Sequence, residues 1–83
     1  MYKVYILKSE LFSKSYVGLT NDLERRIKEH NLGKHFYTKR YKPWKIVYHE
    51  NFNSLVEARK REKYLKSASG RKYLKNDIFR NRE

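Results

Sequence analysis

At 83 residues the chain has the size of one small domain, and 21 Lys and Arg against 9 Asp and Glu leave a net charge of +12, which selects a polyanionic partner. It has no cysteine, which excludes disulfides, thiol nucleophiles and thiolate metal sites. The opening MYKVYILKSELFS lacks the long apolar run of a signal peptide or membrane span, so a cytoplasmic protein is expected.

In chain order, YKVYIL (2–7) and SYVGL (15–19) are rich in Tyr, Val, Ile and Leu and are joined by the polar KSELFSK. They read as a hairpin. Asn21 or Asp22 then offers a helix N-cap, and Leu23, Ile27 and His30 recur at helical spacing up to a stop at Asn31 to Gly33. HFYTKRYKP is basic and aromatic without a period and is expected to be a loop. WKIVYH (44–49) makes a third strand. Asn53 or Ser54 can cap a second helix whose inward stripe is Leu55, Ala58, Glu62 and Leu65, an apolar stripe that contains a carboxylate. A break at Ser69 and Gly70 precedes RKYLKNDIF, whose Tyr73, Leu74 and Ile78 can form a last short helix. No composition shift marks a second unit, so residues 1–83 are expected to be a single α+β domain, a three-stranded antiparallel sheet flanked by helices in the order strand, strand, helix, strand, helix, helix.

The basic residues are spread along the chain and interleaved with aromatics, 16% of the total, as in a folded nucleic-acid binder rather than a disordered arm. Charge names DNA or RNA as the partner but not the reaction, and it says nothing about protein partners. Tyr5 and Tyr16 fall on the two hairpin strands, Arg26 ten residues beyond Tyr16, and His30 one helical turn beyond Arg26. With KVY and YVG, then TNDLERRIKEHN and EARKREKYLK, the chain resembles the GIY-YIG nuclease superfamily over nearly its whole length, especially its small stand-alone bacterial members. Lys3 and Val4 stand where Gly and Ile give that superfamily its label. The resemblance implies a metal-dependent endonuclease acting on DNA phosphodiesters, with Tyr5 and Tyr16 as the tyrosine pair, Arg26 as the arginine, His30 as the polar residue that follows on the helix, and Glu62 as the metal-binding glutamate. It implies Tyr5 as the favoured base, Tyr16 as its partner, and a setting in DNA repair or recombination.

The chemistry of these residue types agrees with that assignment. Phosphodiester hydrolysis needs an activated water, neutralised phosphate charge and a stabilised leaving oxygen. Glu62 on an apolar stripe is costly unless paired, and a divalent cation offsets that cost. A single carboxylate suits one Mg²⁺ that keeps several waters, with Mn²⁺ able to substitute. Arg26 offers a planar fork for a phosphate oxygen. A tyrosine of pKa about 10 is ionised in about one part in a thousand at pH 7, a penalty near 4 kcal/mol, so a cation must lie beside the base. His30 shares a helix face with Arg26 and can pass a proton or hold phosphate.

Each residue also has an ordinary reading. The tyrosines are common strand residues, Arg26 and His30 alone would be a solvated helix face, and Glu62 can be satisfied by a neighbouring Lys or Arg. The basic aromatic segment is either a solvated loop or a nucleic-acid contact. In the second case Tyr37 and Thr38 line the substrate groove, and Lys39, Arg40 and Lys66 meet phosphates. His35 and His49 receive no role, and Asn76 stays outside the catalytic set. The rival to an endonuclease is a non-catalytic DNA- or RNA-binding module on the same scaffold.

Overall fold

The computed structural model describes residues 1–79, with the side chains of residues 77–79 outside the description. Strands β1 (Tyr2–Ser9), β2 (Ser15–Thr20) and β3 (Trp44–Phe52) form one antiparallel sheet in the order β2-β1-β3. This is the expected α+β architecture, with β1 and β3 running two or three residues longer than the residue types suggested. Their extra residues carry the β1–β3 pairing out to Ser9 opposite Trp44 and Tyr2 opposite Phe52. The β1–β3 register shifts at Ile6 and Leu7, which leaves Val47 as an extra residue on β3.

Helix α1 (Leu23–Asn31) starts where the Asp22 side chain accepts from the Arg25 N–H at 3.1 Å, and the chain turns away at Gly33, whose φ of 79° lies in the left-handed region. Helix α2 (Leu55–Lys66) is capped by Ser54. Two expectations are corrected. The 35–43 segment contains a 3₁₀ turn over Thr38–Arg40, and the break between the last helices falls at Ser67 rather than at Ser69 and Gly70. Ser67 ends α2 and caps α3 (Ala68–Tyr73), its hydroxyl accepting from the Gly70 N–H at 3.2 Å. Gly70 is buried inside α3 because a Cβ there would run into the backbone of Tyr64 and Leu65, so the glycine is a contact requirement between helices and not a breaker. The chain continues as a π-helical segment over Leu74–Phe79, with Leu74 buried; the side chain of Ile78 lies outside the described residues.

The central strand β1 is covered on both faces. Val4 and Ile6 pack with Val17, Val47, Ala58, Leu65 and Leu74 beneath α2 and α3. Tyr5 and Leu7 face the other way, with Trp44, against Tyr16, Leu23 and Ile27 on the α1 side. Because β2 is an edge strand, groups from the α1 face and from α2 can meet around it.

Candidate active site

Tyr5 is fully buried at the middle of β1, and its register partner on β2 is Gly18. A Cβ at Gly18 would overlap the Tyr5 ring and hydroxyl, so the absence of a side chain there is what lets the ring lie across β2. The Tyr5 hydroxyl reaches His30 Nε2 at 2.9 Å, and His30 Nδ1 reaches Thr38 Oγ1 at 2.8 Å. The Thr38 carbonyl in turn accepts from the Trp44 indole N–H at 2.7 Å. One line of hydrogen bonds therefore joins β1, α1, the 3₁₀ turn and β3.

Charge in this line is unfavourable. Burial pushes the Tyr5 hydroxyl up to about 12, with Tyr16 and Glu62 adding to the shift and the Arg26 guanidinium beside it opposing. Burial, with His35 and Arg26 next to it, pushes His30 down to about 4, Glu29 opposing weakly. At neutral pH both groups are uncharged. A protonated Tyr5 donates to Nε2, so His30 carries its proton on Nδ1 and donates to Thr38. The opposite tautomer would leave the buried Tyr5 O–H without an acceptor among the described residues.

Arg26 lies one turn before His30 and against Tyr5. Burial works against its charge, but the Tyr5 hydroxyl and Glu29 hold the guanidinium protonated. Its Nη1 lies 3.5 Å from Glu29 Oε1, a weak contact, and its Nε is buried with no hydrogen-bond acceptor among the described residues. A donor in that condition costs about 1–3 kcal/mol until an acceptor arrives.

Glu62 projects from α2 on the same stripe as Ala58 and Leu65, three-quarters buried, and its charge bears on Tyr5. Lys66, one turn on, holds Oε2 at 3.2 Å, and its Nζ lies 6.0 Å from the centre of the Tyr16 ring. Oε1 has no hydrogen bond among the described residues. Tyr16 packs its ring 5.0 Å from His30 and 6.3 Å from Tyr5. The structure thus brings Tyr5, Tyr16, Arg26 and His30 into one cluster on the α1 face, and sets Glu62 with Lys66 at its margin.

A hollow of about 590 Å³ beside this cluster is lined by Tyr16, Tyr37, Lys66, Lys14 and Arg71, among others. Of the expected nucleic-acid contacts, Tyr37 and Lys66 stand in it. Lys39 and Arg40 are exposed but lie over the Phe36 ring, at 5.4 and 4.9 Å, outside the lining. Thr38 corrects the expectation of a groove residue: it is fully buried, and its hydroxyl serves His30. Asn76 lines the adjoining hollow near Phe12.

A family model described as the GIY-YIG catalytic domain matches residues 1–75. The chain belongs to that family. Its members are nucleases, generally dependent on a divalent metal and acting on nucleic acid. The chain is 50% identical over 64 residues to a UPF0213 protein of Clostridium perfringens, covering 76% of this chain and 68% of the relative. A UPF0213 protein of Staphylococcus saprophyticus is 42% identical over 73 residues, 87% of this chain and 88% of the other. The solution NMR structure of a UPF0213 protein from Bacillus halodurans superposes with a TM-score of 0.54 at 37% identity, over 89% of this chain and 79% of that one. No helix among the described residues is long and apolar enough to cross a membrane.

Sequence reasoning missed two neighbours of the cluster and misplaced a third. His35, given no role, has its ring 4.5 Å from that of His30 and bonds Glu29 at 3.3 Å. Thr38 was placed on the wrong side of the loop, and Lys14, in the polar hairpin turn, carries no pattern that marks it.

Proposed function

We propose that the protein is a divalent-metal-dependent endonuclease that hydrolyses DNA phosphodiesters, with Tyr5, Tyr16, Arg26, His30 and Glu62 as its reacting site and RNA as the alternative substrate. The observation that carries this reading is the buried, acceptor-less Nε of Arg26 beside Tyr5, in a chain of net charge +12. A phosphate oxygen supplies the missing acceptor and matches the guanidinium's charge.

Glu62 fits the implied cation. Its free Oε1 and its neighbouring Lys66, half exposed and able to swing away, leave one carboxylate for an ion that takes its remaining oxygens from water and phosphate, as Mg²⁺ or Mn²⁺ does. Bound there, a divalent cation supplies Lewis-acid charge to the phosphate and eases ionisation of a nearby water.

The rest belongs to the chain. Arg26 holds a non-bridging phosphate oxygen. Tyr5 does not store a negative charge, because burial holds its hydroxyl protonated. It passes a proton on instead: as a water's oxygen attacks phosphorus and the bond from phosphorus to the leaving oxygen breaks, the water's proton moves to the Tyr5 oxygen and the Tyr5 proton moves to His30 Nε2, 2.9 Å away, while the leaving oxygen takes a proton from solvent. His30, neutral with its Nδ1 proton anchored on Thr38, has Nε2 free to receive it. Tyr16, half-buried at the groove, orients the water or phosphate from the other side.

One observation favours the binding-module reading: Glu62 already has a cation in Lys66 and is satisfied without metal. The two readings separate in a panel of labelled single-stranded, duplex, flapped and branched DNAs incubated with Mg²⁺ or Mn²⁺, with wild type beside folded Glu62→Gln. Metal-dependent products that disappear in the mutant are expected. Tight binding without products would replace the nuclease with a binding module.

A further inference from the structure

Four aromatic rings run in file from the β1–β2 turn to the candidate active site. Phe12 meets Tyr41 with ring centres 5.5 Å apart, Tyr41 meets Tyr37 at 5.4 Å, and Tyr37 meets Tyr16 at 6.1 Å. Tilts of 73° and 57° keep the first three from closing flat on one another. Phe12 remains 47% exposed and Tyr37 44% exposed, so neither ring is spent on the core. Cations flank the file: Lys14 Nζ lies 5.3 Å from the Tyr41 ring and Lys66 Nζ 6.0 Å from Tyr16. Lys14, Lys66 and Arg71 also line the hollow into which Tyr16 and Tyr37 face, and that hollow adjoins a second one, lined by Phe12, through Ser13, Lys14 and Ser15.

We propose that this file is a base-stacking track for a single-stranded nucleic acid, which it leads to the reacting cluster at Tyr16. The direction of travel towards a scissile phosphate rests on the nuclease reading; the track itself does not. Aromatic faces offer stacking that every base can use, and cations alongside follow the phosphates. A duplex cannot use such faces, because its bases are already stacked on each other at about 3.4 Å per step. The ring-to-ring steps of 5.4 to 6.1 Å suit a strand that is drawn out and unstacked. The occupant is therefore an unpaired strand, DNA or RNA, whose charge complements Lys14, Lys66 and Arg71.

The test is binding in EDTA, which makes it independent of cleavage. Fluorescence anisotropy would compare a labelled single-stranded decamer with a blunt duplex, using wild type, Phe12→Ala/Tyr37→Ala and the ring-preserving Phe12→Tyr/Tyr37→Phe. Loss of stacking rings is expected to weaken the single strand about tenfold or more while the duplex changes by less than about twofold, with the ring-preserving pair close to wild type. Equal losses on both ligands, or no loss, would overturn the track. Should the alanine pair fail to fold, wild type alone decides: 2-aminopurine placed in the single strand is quenched by stacking on the rings, and unquenched fluorescence in a bound strand would overturn the proposal. The same strand made as RNA identifies which nucleic acid the track serves, a quench with either supporting it and with neither overturning it. A protein that quenches the single strand but cuts nothing would lose the nuclease reading and keep the track; one that cuts duplex without a single-strand effect would do the reverse.

Discussion

Acid should unfold this domain through His30 before it does so through its carboxylates. His30 is fully buried and its pKa is pushed from 6.5 down to about 4, chiefly by burial and then by His35 and Arg26. In the unfolded chain it returns to its ordinary value, so between pH 6.5 and 4 the unfolded state binds more protons than the folded one. Stability is therefore complete above pH 6.5 and falls as pH falls, levelling off below about 4. At about 1.36 kcal/mol per unit, the loss is about 2 kcal/mol between pH 7 and 5 and about 3 kcal/mol by pH 4. For a chain of 83 residues at roughly 0.05–0.15 kcal/mol per residue, the total is about 4–12 kcal/mol, so this single group removes a large share of it. The Glu29 and Glu50 carboxyls are held below their usual range, Glu29 by His35 and Glu50 by Arg61 against the effect of burial. Their contributions are lost only at lower pH, which leaves the interval from pH 7 to 5 to His30.

Urea unfolding at half-unit steps of pH reads this directly. With a slope of about 1 kcal/mol/M for a domain of this size, the midpoint should fall by about 2 M between pH 7 and 5. His30→Gln, which cannot titrate, should show a nearly level midpoint over the same interval, whatever its absolute stability. A wild-type midpoint that stays level, or a mutant that falls in parallel, would refute the argument. Nitrogen-15 spectra of the imidazole should show a neutral ring protonated on Nδ1 at pH 6. An imidazolium there would refute it equally.

Three further substitutions follow from the geometry. Arg26→Ala should abolish cleavage, by about 100-fold or more, and leave most DNA affinity in place, because many other cations contribute to salt-dependent binding; an affinity that collapses in an electrophoretic or anisotropy assay would make Arg26 a binding residue instead. Gly18→Ala should force the Tyr5 ring out of its seat and cost about 1–3 kcal/mol in urea unfolding, with cleavage lost beyond what the fraction unfolded explains; unchanged unfolding would contradict the close packing of ring against backbone. Thr38→Val keeps the volume but leaves the His30 Nδ1–H without an acceptor, at a cost of about 1–3 kcal/mol, whereas Thr38→Ser should recover most of the stability and rate; a serine variant as damaged as the valine would show that the methyl group, not the hydroxyl, matters.

The fold was legible because its signals are local. Runs rich in Tyr, Val, Ile and Leu marked the hairpin, the cap candidates at 21–22 and 53–54 marked two helix starts, and the Tyr5, Tyr16, Arg26, His30 and Glu62 spacing carried the family resemblance. What escaped depended on contacts between different elements, which neither periodicity nor capping residues mark. Gly70 reads as a helix breaker from composition, and only the approach of α3 to the Tyr64 and Leu65 backbone explains it as a helix residue. Thr38, in a polar basic stretch, reads as exposed, yet its hydroxyl and carbonyl satisfy His30 and Trp44, partners eight and six residues away. The state of Tyr5 was equally hidden. Its type suggests a base needing a cation to lower its pKa, and Arg26 is beside it, but burial outweighs that cation and turns the hydroxyl into a donor to His30.

That reversal follows from how little material the domain has. Tyr5, Leu7 and Trp44 form the core on the α1 face, and Tyr5 is also the residue nearest the proposed chemistry. A larger protein can seat a reactive tyrosine in a polar pocket supported from behind. Here the support is the hydrogen-bonded line through His30 and Thr38 to Trp44, whose members are buried and therefore must be neutral and satisfied. A line of neutral groups does not hold charge at rest, but it can take a proton from Tyr5 as far as His30, provided that charge arrives at the same moment from outside. The guanidinium of Arg26 and the carboxylate of Glu62 stand beside its Tyr5 end, where the proposed mechanism places the phosphate. On the proposed mechanism reactivity is confined to the substrate-bound state, so substitutions along the line should lower stability and rate together, while those at Arg26 and Glu62 should lower the rate alone.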